Sequence, residues 1–298
     1  MVDTDTDAIV TGGLGATRRE WPPGTNQAIS AQGSRAVATI NLYAFTCGTV
    51  TGDFGRLMEG GEGDITLPIP AYLIEHSKGL ALFDTGMHPD CQHDPAGRLG
   101  ARLTSLFRIG FRPGEEVSTR LEKIGRDPGK VDLVINSHFH FDHAGGNALL
   151  PNATLVVQRR EWDAGMDSDA ASGHGYNPRD FDLGHKLRLV DGEHDVFGDG
   201  AVTCLPTPGH TAGHQSLRVR LESGEVVLAA DACYFCRTLR ERRLPRYVHD
   251  REAMLASLDR LAGLEAAGAR IFFGHDPAFW KRVPQAPAQV SSADFSGT

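Results

Sequence analysis

The stretch VDLVINSHFHFDHAGGN, residues 131–147, decides the fold. Its first six residues are nearly continuously apolar, as in a strand covered on both faces. His138 and His140 follow directly, two residues apart, so in an extended chain both side chains point the same way. Two imidazoles on one side can bind one borderline metal ion. Asp142 and His143 come next, and a chain turning there would present a carboxylate and a third imidazole to a second ion nearby. Polar residues at a strand end could also be ordinary loop residues. Three further pieces of the same chemistry weigh against that reading. TPGHTAGHQSL (207–217) offers His210 and His214, Asp231 ends the apolar run EVVLAA, and His275 follows ARIFF. Each candidate lies just past a strand signal, where a rigid sheet delivers functional side chains on loops.

Outward from this stretch the chain alternates short strand signals with Gly, Pro and Asp. Strands are expected at 36–46, 65–75, 80–84, 131–136, 154–158, 201–205, 216–221, 226–230 and 270–273. In SLRVRL, Leu217, Val219 and Leu221 alternate with Ser216, Arg218 and Arg220, which predicts a strand with one wet face. Helices are expected at 115–124, and at 251–266 with Asp250 as N-cap and Met254, Leu258, Leu261 and Leu264 as the buried stripe. The pattern implies two sheets covered by helices. Residues 1–35 read as an N-terminal arm, 36–283 as a single domain and 284–298 as a C-terminal tail.

The 298 residues carry 30 basic and 38 acidic side chains, a formal charge of -8, which argues against nucleic acid or a membrane surface as partner. The one dense basic run, 237–246, includes Glu241 and reads as a solvated surface segment. No stretch reaches the 18 or so apolar residues of a membrane span. The start of the chain is acidic and polar, so a cytoplasmic location is expected. Five cysteines do not make a disulfide framework. Cys233 and Cys236 have CxxC spacing, but they overlap Asp231 and Tyr234 and no second pair exists, so a functional dithiol is not expected.

The HxHxDH motif, with a later His, Asp and His each following a strand, resembles the metallo-β-lactamase superfamily over about residues 36–280. That resemblance implies an α/β fold, a four-layered α/β/β/α sandwich, with a dinuclear metal centre at one edge of the sheets. Within the superfamily the chain is most similar to the N-acyl-homoserine lactonases. LFDTGM (82–87), SHFHFDHAGGN (137–147), VVQRREW (156–162), TPGHTAGHQSL (207–217), DACY (231–234) and FFGHD (272–276) carry the likeness. It does not extend to the N-terminal arm or to residues 163–196.

The resemblance implies that His138, His140 and His210 hold one ion and that Asp142, His143 and His275 hold the other, with Asp231 bridging both. Zn2+ suits these donors, and Fe, Co or Mn could also occupy them. A hydroxide shared by the ions would attack the lactone carbonyl, with one ion and the Tyr234 hydroxyl stabilising the oxyanion. Asp142 would pass a proton to the leaving alkoxide, giving N-acyl-homoserine, the quorum-quenching reaction. Phe141 is expected to wall the pocket, and Phe107 and Phe111 are weaker candidates for a groove around an apolar acyl chain. Asp84 is expected to orient a ligand and His214 to bond within the scaffold.

Related hydrolases form the alternatives: another lactonase such as a pyridoxolactonase, a β-lactamase, or a thioesterase of the hydroxyacylglutathione type. The last usually carries a C-terminal helical domain, whereas about 20 residues follow His275 here. A nuclease of the ribonuclease Z type would carry more positive charge. An iron oxygen-reducing relative would more often replace the second histidine by an acid. A metal-binding scaffold protein would keep the fold but lose a ligand or Tyr234. A homodimer clasped by the arm is a further expectation.

Overall fold

The computed structural model describes residues 39–167 and 175–295. The expected arm, 1–35, and the dimer contact assigned to it lie outside the described residues. The strands are β1 (Asn41–Asp53), β2 (Asp64–His76), β3 (Gly79–Phe83), β4 (Phe107–Gly110), β5 (Leu133–Ile135), β6 (Thr154–Gln158), β7 (Lys186–Val190), β8 (His194–Asp195), β9 (Val202–Pro206), β10 (Gln215–Leu221), β11 (Gly224–Ala230) and β12 (Arg270–Phe273). The helices are α1 (Phe54–Leu57), α2 (Pro95–Leu106), α3 (Val117–Glu122), α4 (Phe141–Ala144), α5 (Arg159–Met166), α6 (Cys236–Glu241), α7 (Arg251–Ala266) and α8 (Pro277–Trp280).

Two sheets form, in the orders β4-β1-β2-β3-β5-β6-β7 and β12-β11-β10-β9-β8. The first is antiparallel from β4 to β3 and parallel from β3 to β7. The alternation of side chains along each strand creates three layers of core. In β1 and β2, Leu42, Ala44, Tyr72 and Ile74 face the second sheet, where they meet Val202, Leu217, Val219, Val226 and Leu228. Their neighbours Tyr43, Phe45, Ala71 and Leu73 face the opposite way, into a core with Val117, Leu121 and Phe139. On the far side of the second sheet, Val227, Ala229, Ile271 and Phe273 pack on Met254, Leu258 and Leu261 of α7. Helix, sheet, sheet and helix layers follow one another, as the α/β/β/α expectation required.

Asp250 caps α7 by accepting the Ala253 N–H at 3.0 Å. Leu264 of the expected stripe is only half-buried. The basic run forms α6 and the turn after it, where Arg237 and Arg243 pair with Glu241 at 2.9 Å. Arg240 pairs with Glu265 and Arg242 with Asp259, while Leu239 and Leu244 are buried beneath them.

Three strands and several helices were not anticipated. β7 is an edge strand whose Leu187 is exposed, so its apolar pattern is broken. β4 and β8 have four and two residues, too short for a periodic signal. α2 carries Gly97 and bends at Gly100, where φ is 83°. The described residues of the expected tail do not hang free. β4 pairs only with Thr49–Gly52, leaving the start of β1 an open edge. The chain from Gln285 to Val290 covers that edge: Ala286 N–H donates to Ala44 O at 2.9 Å and Val290 N–H to Leu42 O at 2.8 Å. Val290 is buried there.

Candidate metal centre

The loops that leave β5, β9, β11 and β12 converge at one end of the two sheets. A backbone bond from Gln215 N–H to Ser137 O at 2.9 Å ties the two sheets together there, and the Gln215 side chain donates to Asn136 O at 2.8 Å. Ala230, with φ 46°, kinks the end of β11 and turns Asp231 out of the ladder. Gly274 lets the next strand end come close, since a Cβ there would lie 2.4 Å from Ala230 O.

Seven side chains gather in two groups. His138, His140, His210 and Asp231 have ligand atoms within 4.8 Å of one another, and so do Asp142, His143 and His275. Asp231 joins the groups by its two oxygens. Its Oδ2 is 3.2 Å from His210 Nε2 and 3.7 Å from His138 Nε2. Its Oδ1 is 3.1 Å from His143 Nε2 and 3.0 Å from His275 Nε2. Nδ1 of His140 stands 3.0 Å from Nε2 of both His138 and His210. Asp142 Oδ2 is 3.7 Å from His143 Nε2 and 3.8 Å from His275 Nε2. Ligand atoms about 2.1 Å from a tetrahedral ion stand about 3.4 Å apart, so both groups have the dimensions of a metal cage.

Three of the rings are held by their other nitrogen. His143 Nδ1 bonds Asp84 Oδ2 at 2.8 Å, His275 Nδ1 bonds Pro68 O at 2.9 Å, and His138 Nδ1 meets Ser137 Oγ at 2.9 Å. Donating Nδ1–H to a carboxylate or carbonyl leaves a lone pair on Nε2, the atom each ring aims at the cluster. His143 Nε2 and Asp231 Oδ1 are buried without a hydrogen-bond partner among the described residues. These donors fit divalent metal ions.

Charge leads to the same conclusion. Asp84, Asp142 and Asp231 are buried together, and burying carboxylates requires compensating positive charge. Burial pulls His143 and His275 downward, but Asp231 and the neighbouring carboxylates outweigh it and hold both above their usual range. His138 and His210 go the other way, because burial and neighbouring imidazoles outweigh Asp231. The carboxylates thus favour positive charge at the cluster, which a bound cation would supply.

His214 does not join either group. Its Nδ1 bonds Thr207 Oγ1 at 3.0 Å and its Nε2 accepts the Asp231 N–H at 3.1 Å, so it supports the backbone beneath the cluster. Burial pushes it down to about 3, which keeps it a neutral acceptor. Tyr234 packs edge-on against His275, with ring centroids 5.2 Å apart, and lies 5.6 Å from the His210 ring. Burial, Asp231 and Asp142 push its phenol well above its ordinary range, so it remains an O–H donor.

The cluster forms the floor of a cavity of about 660 Å³. Leu99, Leu103 and Leu106 of α2, with Leu57, Phe107 and Phe141, supply an apolar wall. Phe141 and Phe107 therefore line the cavity. Phe111 does not: it is buried in the first core, where it packs close to Gly48. The α2 leucines, Tyr176 and Glu161 were not singled out from sequence. Asp94, which accepts the Gly97 N–H at 2.9 Å, and Pro95 behind it are a helix-start signal that would have found α2. Glu161 lies within the quoted stretch VVQRREW but carries no motif of its own.

The Metallo-beta-lactamase superfamily model matches residues 65–275. N-acyl homoserine lactonase AttM of Azorhizobium caulinodans is 35% identical over 239 residues, covering 78% of this chain and 90% of that protein. N-acyl homoserine lactonase AiiA of Bacillus thuringiensis subsp. kurstaki is 33% identical over 214 residues, covering 71% of this chain and 82% of that protein. A solved N-acyl homoserine lactone hydrolase, with the product N-hexanoyl-L-homoserine bound at its catalytic metal center, superposes with a TM-score of 0.77. It is 29% identical, over 85% of this chain and all of that one. With two thirds of the chain inside the family model and near-complete coverage of such relatives, this chain belongs to the metallo-β-lactamase superfamily and, within it, to the N-acyl homoserine lactonase family.

Proposed function

We propose that this protein is a metal-dependent hydrolase that opens the lactone ring of N-acyl-homoserine lactones to give N-acyl-homoserine, and so quenches quorum signals. The observation that carries the reading is Asp231, which offers one carboxylate oxygen to each of two His/Asp groups on the floor of an apolar-walled cavity. Its relatives AttM and AiiA are N-acyl homoserine lactonases, and this supports the choice of substrate.

His138, His140 and His210 would hold one divalent ion, Asp142, His143 and His275 a second, and Asp231 both. Zn2+ suits the nitrogen-rich donor set, with Fe, Co or Mn as the other candidates. When bound, the ions supply Lewis acidity and a water activated near neutral pH. The chain does the rest. Tyr234 donates its hydroxyl hydrogen bond to the carbonyl oxygen as negative charge develops there, an interaction that strengthens in the transition state. Asp142, at the edge of the cluster and facing the cavity, takes the proton released as water adds to the carbonyl and passes it to the ring oxygen as the C–O bond breaks. Phe141 and the α2 leucines take the acyl chain and exclude water from it.

Proton release on adding short- and long-chain N-acyl-homoserine lactones, against a β-lactam and a thioester, tests the substrate. Lactone opening that stops on chelation supports the proposal. Robust thioester turnover without lactone opening overturns it. Metal analysis of the purified protein tests ion number and identity. No described helix is long and apolar enough to cross a membrane. The five cysteines are free thiols, which supports a cytoplasmic location.

A further inference from the structure

One buried carboxylate bonds to both loops that carry the imidazoles of the first group. Glu161 belongs to the first turn of α5 and is fully buried. Its Oε1 accepts the backbone N–H of Phe139, the residue between His138 and His140, at 3.1 Å. Its Oε2 accepts the hydroxyl of Thr211, the residue after His210, at 2.8 Å. The same oxygen accepts the Gly213 N–H at 2.9 Å. The Tyr176 hydroxyl also hydrogen-bonds this carboxylate, and its ring centroid lies 5.9 Å from that of His140. Contact between the elements is backbone to backbone: a Cβ on Gly213 would fall 2.1 Å from Glu161 N.

A carboxylate is a costly way to fill a core position when its partners are neutral donors. An acceptor with two oxygens does, however, bind donors from two separate loops at once. The second group has different supports. Asp84 holds His143 and Pro68 O holds His275, and neither touches Glu161. Asp84 also reaches Ser137, beside His138, so it serves both groups, whereas the bonds of Glu161 to Phe139, Thr211 and Gly213 fall only on the loops of the first.

We propose that Glu161 is a positioning residue for the first metal group, fixing the His138–His140 loop against the His210 loop while leaving Asp142, His143 and His275 unaffected. The proposal rests on the two-ion reading above. Ligand spacing must hold to within a few tenths of an ångström for tight binding, so a clamp on two loops acts on affinity. The hydrogen bonds behind metal ligands typically govern about tenfold to a hundredfold in affinity.

Chelator competition on the full-length, Zn2+-loaded protein tests this by following the two ions separately. In Glu161→Gln, one ion should bind about tenfold to a hundredfold more weakly. The other ion should bind as in the wild type, with the far-UV circular dichroism unchanged. Thr211→Val, which removes one donor and leaves the charge, should shift the same ion by less. In a His140→Ala background, where one of the three imidazoles it positions is gone, Glu161→Gln should add a smaller loss, whereas in a His275→Ala background the loss should persist in full. Two ions held at wild-type affinity in Glu161→Gln, both weakened alike, or the same loss in both backgrounds would each overturn the proposal. If Glu161→Gln does not fold, Thr211→Val decides alone: it must weaken one ion only. A wild-type chain that holds two ions but opens no lactone overturns the lactonase reading and leaves this proposal standing. A wild-type chain that holds no ions overturns both.

Discussion

Oδ2 of Asp84 lies 2.8 Å from Nδ1 of His143, and the same carboxylate accepts the backbone N–H and the hydroxyl of Ser137 at 2.7 and 2.8 Å. One side chain, from the loop after β3, thus fixes both the tautomer of a metal-facing imidazole and the backbone just before His138. Asp84 adopts φ 58°, a left-handed conformation in which Asp and Asn are the tolerated non-glycine residues.

Asp84→Asn should keep that backbone but present an amide N–H2 or a single oxygen to partners that need two acceptors. His143 would then lose its acceptor at Nδ1, and its Nε2 lone pair would no longer be secured. Affinity for the ion that His143 and His275 would hold should fall about tenfold to a hundredfold. Chelator competition measures it, and excess metal should restore turnover. Unchanged affinity would show that Asp84 serves only the fold.

Removing the metal should abolish lactone opening and also lower the melting temperature. Asp142 and Asp231 would lose the charges that balance them, leaving buried carboxylates among imidazoles. Thermal melts with and without chelator, followed by re-addition of Zn2+, check both effects. A melting temperature indifferent to chelation would mean that the cluster folds without help from cations.

Tyr234→Phe deletes one hydroxyl and leaves the ring packed against His210 and His275. Loss of one donor to a developing oxyanion lowers turnover by about a hundredfold. Metal content should stay at the wild-type value, because the ring and the ligand atoms are untouched. A turnover equal to wild type would remove Tyr234 from the chemistry.

The apolar wall makes a quantitative claim about substrates. Each methylene buried contributes up to about 0.8 kcal/mol, close to a fourfold gain per CH2 in kcat/KM. Leu103→Glu places a charge in the middle of that wall, between Leu99 and Leu106. The dependence of kcat/KM on acyl length should flatten, while the shortest substrate is least affected. An unchanged slope would place the acyl chain elsewhere.

The seven clustered side chains were legible in the sequence because chemistry and spacing coincide: His138, His140, Asp142 and His143 lie within six residues, and His210, Asp231 and His275 each follow an apolar run. The strands of both sheets were legible wherever side chains alternate, between two cores in β2 and between core and a wet face in β10. What was hidden depends on distance along the chain. Glu161 is unremarkable as a residue type, and its role arises from partners at positions 139, 211 and 213. The C-terminal segment reads as a tail because its Pro, Gln and Ala residues carry no periodicity. It is ordered by the open edge of β1, more than 200 residues earlier, as in the Thr46–Gln285 bond.

The Cys233–Cys236 pair provides a last test, because its spacing alone invites a redox reading. Cys233 is fully buried and donates its Sγ–H to Phe235 O at 3.4 Å. Burial pushes its thiol well above the usual range, and burial pushes Cys236 up as well. Cys47, Cys91 and Cys204 are pushed up to about 12 by burial. The thiolate is the reactive form, and at pH 8 these thiols remain protonated. The native protein should therefore react with a thiol-specific reagent at Cys236 at most, that being the only half-buried thiol, and all five should react in denaturant. A native protein that reacts fast at two sites, or that closes a Cys233–Cys236 disulfide under mild oxidation, would restore a redox role to the pair.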